Sequence, residues 1–134
     1  MADTTDEAQD ALARRHSAAQ ARAEARALER LAEAEEKERA LTREVYEVTD
    51  RVITRHGYDP QNDRAIERLR CMRDAAVILG SDSLASFARC VRTLDRFEAR
   101  LRYDTSPLSV CWEGHGFFGG MIFHPSDREW SIHT

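Results

Sequence analysis

Apolar positions recur along this chain at helical spacing in its middle and at every second residue in its tail. Between Ser83 and Leu101 they keep helical spacing: Leu84, Phe87, Val91, Leu94 and Leu101 share one face, and Arg89, Arg92, Arg96 and Arg100 share the opposite one. Upstream, Ile66, Leu69, Met72, Ala76, Val77 and Leu79 form a second apolar face. That helix is expected to start at Asp59-Pro60, a capping side chain followed by proline at the first helical position, and to stop at Gly80. Ser81 or Ser83 is then expected to cap the next helix, and so short a connection predicts an antiparallel helical hairpin. From Leu108 the period falls to two. Leu108, Val110 and Trp112 alternate with Ser109, Cys111 and Glu113, Gly114-His115-Gly116 turns the chain, and Phe117 to His124 and Trp130 to His133 read as two further strands. A sheet this small is not stable alone and must pack on the helices.

From about Ala11 to Arg55 the chain is dominated by Ala, Arg, Glu and Leu and contains neither Gly nor Pro, so helix propensity is high throughout. Glu33 with Lys37, Glu35 with Arg39 and Glu47 with Arg51 are i,i+4 pairs in the favourable order. His56-Gly57 is the expected end, and residues 1–10 read as a polar lead-in. Leu41, Val45, Val48 and Val52 keep a heptad-like spacing, but the same frame continued backwards meets Glu38, Ala34, Leu31, Ala27 and Glu24, a poor seam. The chain therefore divides into an Ala/Arg/Glu-rich helical arm, 1–40, and a head, 41–134. The fold class is α+β: a long N-terminal helix, an antiparallel helical hairpin, and a C-terminal three-stranded antiparallel β-meander packed on the helices. The arm is expected to self-associate as a homodimer or to bind a partner.

Charge narrows the function classes. Net charge over the 134 residues is −4, with 13 acids and 10 bases in residues 1–57, 7 and 9 in 58–103, and 4 and 1 in 104–134. This is neither the basic excess of a dedicated nucleic-acid binder nor the dense acidity of a nucleic-acid mimic, although a local arginine face can still engage phosphates. No run approaches the apolar length of a membrane span. Cys71, Cys90 and Cys111 are odd in number and lack CxxC spacing, which points to reduced thiols and a cytoplasmic setting. The bias of Arg over the single Lys37 fits a GC-rich bacterial genome, or a phage or plasmid within one.

Candidate chemistry is sparse. His115, His124 and His133 recur every nine residues near Cys111, Glu113, Asp127 and Glu129, which raises a metal site. With Pro125 to Glu129 as the loop, however, His124 falls opposite Trp130 and His133 opposite Met121, on different faces, so no metal or other cofactor is expected. Cys111 with His115 or His124 is the one nucleophile–base candidate, and nothing fixes its geometry. The glycines at 114, 116, 119 and 120 lie between strands and open no helix, unlike a phosphate-cradling loop. The four arginines span ~17 Å of helix, enough to follow phosphates or a row of carboxylates, or to be met from within by Glu33, Glu36, Glu44 and Glu47. Glu98 is expected near Arg64 or Arg68, and Arg73 near the tail.

The tail GGMIFHPSDREWSIHT, following a helix that reads SFARCVRTLDRFEARL, resembles small bacterial domains of unknown function carried on plasmids and other mobile elements. The resemblance implies a mobile-element setting and no particular activity. The expectation is a non-enzymatic interaction module binding a protein partner through Arg89, Arg92, Arg96, Arg100, Phe117, Phe118 and Trp130, with inhibition of a host defence or nucleic-acid-processing complex as a natural role. A nucleic-acid binder using the arginine face and a small metal-binding hydrolase are the alternatives.

Overall fold

The computed structural model describes residues 3–55, 63–104 and 106–134. The expected helix end at His56-Gly57 and the start at Asp59-Pro60 lie outside the described residues. The chain falls into two compact units, Met1–Lys37 and Glu38–Thr134.

Helix α1 covers Asp3–Arg55, so the expected lead-in is already helical from Asp3. In the first unit the side chains described are exposed apart from a half-buried Ala11; Leu12, Leu28 and Leu31 are the large apolar ones among them.

The second unit holds the core. It contains the last turns of α1, helix α2 (Asp63–Leu79), helix α3 (Ser81–Arg96) and strands β1 (Arg100–Arg102), β2 (Ser109–Gly114), β3 (Phe117–His124) and β4 (Glu129–His133). The strands form one antiparallel sheet in the order β1-β2-β3-β4. This confirms the α+β class with four strands in place of three. The extra strand is cut from the expected third helix, which ends at Arg96; Arg100 and Leu101 belong to β1.

Val45, Val48 and Val52 of α1 meet Leu69 and Met72 of α2 and Leu84, Phe87, Val91 and Leu94 of α3. The inner face of the sheet closes this core with Leu101, Val110, Trp112, Met121 and Trp130. Fully burying such side chains contributes about 1.5–3 kcal/mol each. Polar contacts pin the helices to one another. Asp95 on α3 accepts from Arg55 at 2.7 Å and from Arg51 at 3.3 Å. Arg73 lies 4.5 Å over the Tyr46 ring and 3.7 Å from Asp50, so it meets α1 and not the tail.

Gly80 links α2 to α3 with φ 65 and stands at the N-cap of α3, where no side chain caps the helix. Ser83, one of the two expected caps, is buried and holds Trp130 instead.

Candidate interaction site

Two tight turns meet at one end of the sheet. At the end of α3, the Glu98 N–H donates to Asp95 O at 3.1 Å and the Ala99 N–H to Leu94 O at 2.9 Å. This is the Schellman arrangement, whose left-handed residue is usually glycine; here it is Glu98, at φ 50. The β2–β3 hairpin turns through His115 (φ 48) and Gly116 (φ 80), a pair of positive φ values that favours Asn-Gly. Pairing of Arg100 with Glu113 aligns β1 with β2 and sets the turns side by side, with Glu98 Oε2 3.5 Å from His115 Nε2. Glu98 therefore faces the hairpin, and Arg64 and Arg68 instead lie over the Tyr103 ring at 5.7 and 5.4 Å.

Two glycines allow so close an approach. A Cβ on Gly114 would run into the Phe97 carbonyl oxygen, and one on Gly119 would stand 2.6 Å from the Trp112 indole. Trp112 stacks on Phe97, centroids 5.8 Å apart at 22°, and Phe97 contacts Phe117 at 5.6 Å. Phe117 and Phe118 are 54% and 73% exposed at the hairpin tip, where a water-covered phenyl ring is unfavourable. The tip borders a concavity of about 460 Å³ lined by Phe97, Glu98, Arg100, Glu113, His115 and Phe118. Arg96 lies 5.3 Å over the Phe97 ring, and Glu113 is paired with Arg102 at 2.5 Å. The surface thus offers apolar rings ringed by charges of both signs.

The structure separates the residues that the sequence placed on one face. Arg89 is exposed and has no ion-pair partner among the described residues. Arg92 holds Glu44 at 2.5 and 2.6 Å, an internal pairing. The Arg92 hydrogen bond, outweighing burial, holds the Glu44 carboxyl below its usual range, and the same bond raises Arg92. Arg96 and Arg100 reach the tip from α3 and β1, so the four arginines form no single helical row. Trp130 is 3% exposed and cannot meet a partner. Its indole N–H donates to Ser83 Oγ and its backbone N–H to Ser86 Oγ, both at 2.9 Å, and Phe87 packs edge-on at 5.3 Å.

The three histidines do not gather at one place: His124 and His133 meet, and His115 stands apart. His115 and His124 stand at opposite ends of β3. The four-residue turn 125–128 pairs His124 with Glu129 and Gly120 with His133, one step from the expected register. His124 and His133 consequently share a face, their rings 5.8 Å apart, and both contact Ser131 Oγ, at 2.5 and 3.0 Å. Among the described residues no three His, Cys, Asp or Glu side chains form a group that could hold a metal ion. Burial pushes the Cys90 thiol up to about 12, and burial followed by Asp104 raises Cys111. Neither environment favours the thiolate that a nucleophile needs.

Sequence reasoning named Phe117, Phe118 and Arg100 as partner-contacting, gave Glu98 an ion pair with Arg64 or Arg68 and Glu113 a place among possible metal ligands, and passed over Phe97. The signal lay in Glu98, whose place after an apolar helical run is one where glycine was absent. No described helix is long and apolar enough to cross a membrane. In comparisons with known proteins, no family model matches the chain, and no curated protein or solved structure matches it either.

Proposed function

We propose that this chain is a non-enzymatic protein-interaction module that docks a partner at the tip of the β2–β3 hairpin. The observation that carries the reading is the coincidence of strain and exposure at one place. Glu98 and His115 hold left-handed backbone where Gly and Asn are favoured, and they stand beside two exposed phenylalanines. Backbone strain costs on the order of 1 kcal/mol per residue and tends to be kept where a site uses it. The partner that fits is a protein segment that inserts an apolar side chain against Phe117 and Phe118 and meets Arg100 and Glu98 with polar groups. The exposed N-terminal stretch of α1 supplies a second surface, suited to self-association. In a mobile-element setting, such a module would act by occupying a surface of a host complex.

The test is selection of a random-peptide display library on the full chain and on its Phe117→Ser/Phe118→Ser variant. Peptides enriched on the first and lost on the second are the expected result. Enrichment that survives the double substitution counts against the tip. Salt-sensitive binding of single-stranded oligonucleotides that disappears in Arg96→Glu/Arg100→Glu, with no peptide selected, would replace the reading with nucleic-acid binding.

A further inference from the structure

Charge is segregated along the first unit. Residues 11–23 carry Arg14, Arg15 and Arg22 and no acid, whereas residues 27–37 carry Glu29, Glu33, Glu35 and Glu36 against Arg30 and Lys37. The two blocks lie on one helix with exposed side chains, and Leu28 and Leu31, within the acidic block, are 67% and 58% exposed. A parallel pair of such helices sets like charge against like. An antiparallel pair sets each basic block against the acidic block of the other copy.

We infer that residues 11–36 of α1 pair with the same segment of a second copy of this chain, antiparallel, about a twofold axis near Arg26. Side-chain spacing fixes the register. In a heptad frame with Ala18, Ala25 and Ala32 at one core position and Ala21 and Leu28 at the other, which Arg14 and Glu35 occupy at the two ends of the segment, Leu28 packs on Ala25 of the other copy and Ala21 on Ala32. This frame is offset from the Leu41–Val52 seam that serves the core of the second unit. Arg15, Arg22, Glu29 and Glu36 all fall at the position flanking the core that faces its own equivalent in an antiparallel pair. Arg22 then meets Glu29, and Arg15 meets Glu36, each contact occurring twice. Small alanines let the helices approach closely, and the charges select the direction. In a parallel pair the same frame places Glu29 against Glu24, which is repulsive.

This inference deepens the reading of the chain as a self-associating interaction protein and involves no residue of the hairpin tip. Three full-length samples test it by sedimentation velocity: Arg15→Glu/Arg22→Glu, Glu29→Arg/Glu36→Arg, and their equimolar mixture, beside the unaltered chain. The unaltered chain should dimerise, and each variant alone should dimerise about tenfold or more weakly, because every flanking contact becomes like-charged. The mixture should recover dimer as a heterodimer, since all its flanking contacts are then Glu to Arg; that recovery also shows the variants remain folded. A tighter Glu29→Arg/Glu36→Arg homodimer would indicate parallel pairing through Glu24 and overturn the inference. So would an unaltered chain that stays monomeric at the highest attainable concentration, an outcome that leaves peptide binding at the hairpin tip untouched.

Discussion

Glu98 is one of four described non-glycine residues held at positive φ, with Ser81, His115 and Arg128. Its left-handed backbone closes α3 and starts β1, yet the residue type is unfavourable there by roughly 1 kcal/mol relative to glycine. Its contact with His115 joins two exposed side chains and offsets little of that cost. Glu98→Gly should therefore stabilise the chain by about 0.5–1 kcal/mol in urea denaturation while weakening any ligand selected at the hairpin tip. A neutral or destabilising outcome would show that Glu98 is held there by something other than the site, and the strain argument would fall. Trp130 marks how far a single residue can be read. An aromatic in a polar tail looks like a surface anchor, and its burial depends on Ser83 and Ser86, more than forty positions away in sequence. Phe117 and Phe118 were named as partner-contacting from the sequence, and both are exposed, although Phe117 keeps a contact with Phe97.

Elements were read correctly where a period ran long enough to repeat, and wrongly where it did not. The face of α3 and the alternation of β2 each supply several matching positions, so helix and strand follow directly. β1 has three residues, and buried Leu101 sits seven positions after buried Leu94, which a continuing helix would also give. The register of β3 with β4 depends on whether the turn takes four residues or five, and that one-residue difference moved His124 and His133 onto a common face. Contacts between helices were the least legible, because they join charges far apart in sequence, from Arg73 with Asp50 to Arg92 with Glu44. Asp95 is the clearest case. Burial alone raises its pKa, but Arg55 and Arg51 together outweigh this and hold the carboxyl below the usual range. A lowered folded-state pKa means that the unfolded chain takes up the proton first as pH falls. The contribution to stability is thus complete above the ordinary carboxylate pKa of about 3.9 and is lost as pH drops through the folded value. Asp95→Asn should cost up to about 1 kcal/mol near neutral pH, with the difference from the unaltered chain shrinking below about pH 3.5. Urea midpoints across that range check it; a gap independent of pH would mean that the amide disturbs packing and not charge.

For the whole molecule the decisive observation is where burial begins. Among the described residues every buried side chain lies between Val45 and Trp130, so the unit Glu38–Thr134 contains a complete core. A helix whose side chains are exposed adds little to a cooperative transition, since the denaturant slope follows the surface newly exposed on unfolding. Removing residues 1–37 should therefore leave a chain that unfolds in one urea transition, with its unfolding free energy within about 0.5 kcal/mol of full length and its slope nearly unchanged. The far-ultraviolet helical signal should fall, because most of α1 is gone. Self-pairing through residues 11–36 adds a second discriminating feature. The full chain should form dimer as concentration rises, and the truncated chain should remain monomeric, with a midpoint independent of concentration. A truncated chain that melts without cooperativity would make the N-terminal stretch part of the folding unit. One that still dimerises would move self-association into the second unit and leave the charge segregation of α1 for a different partner.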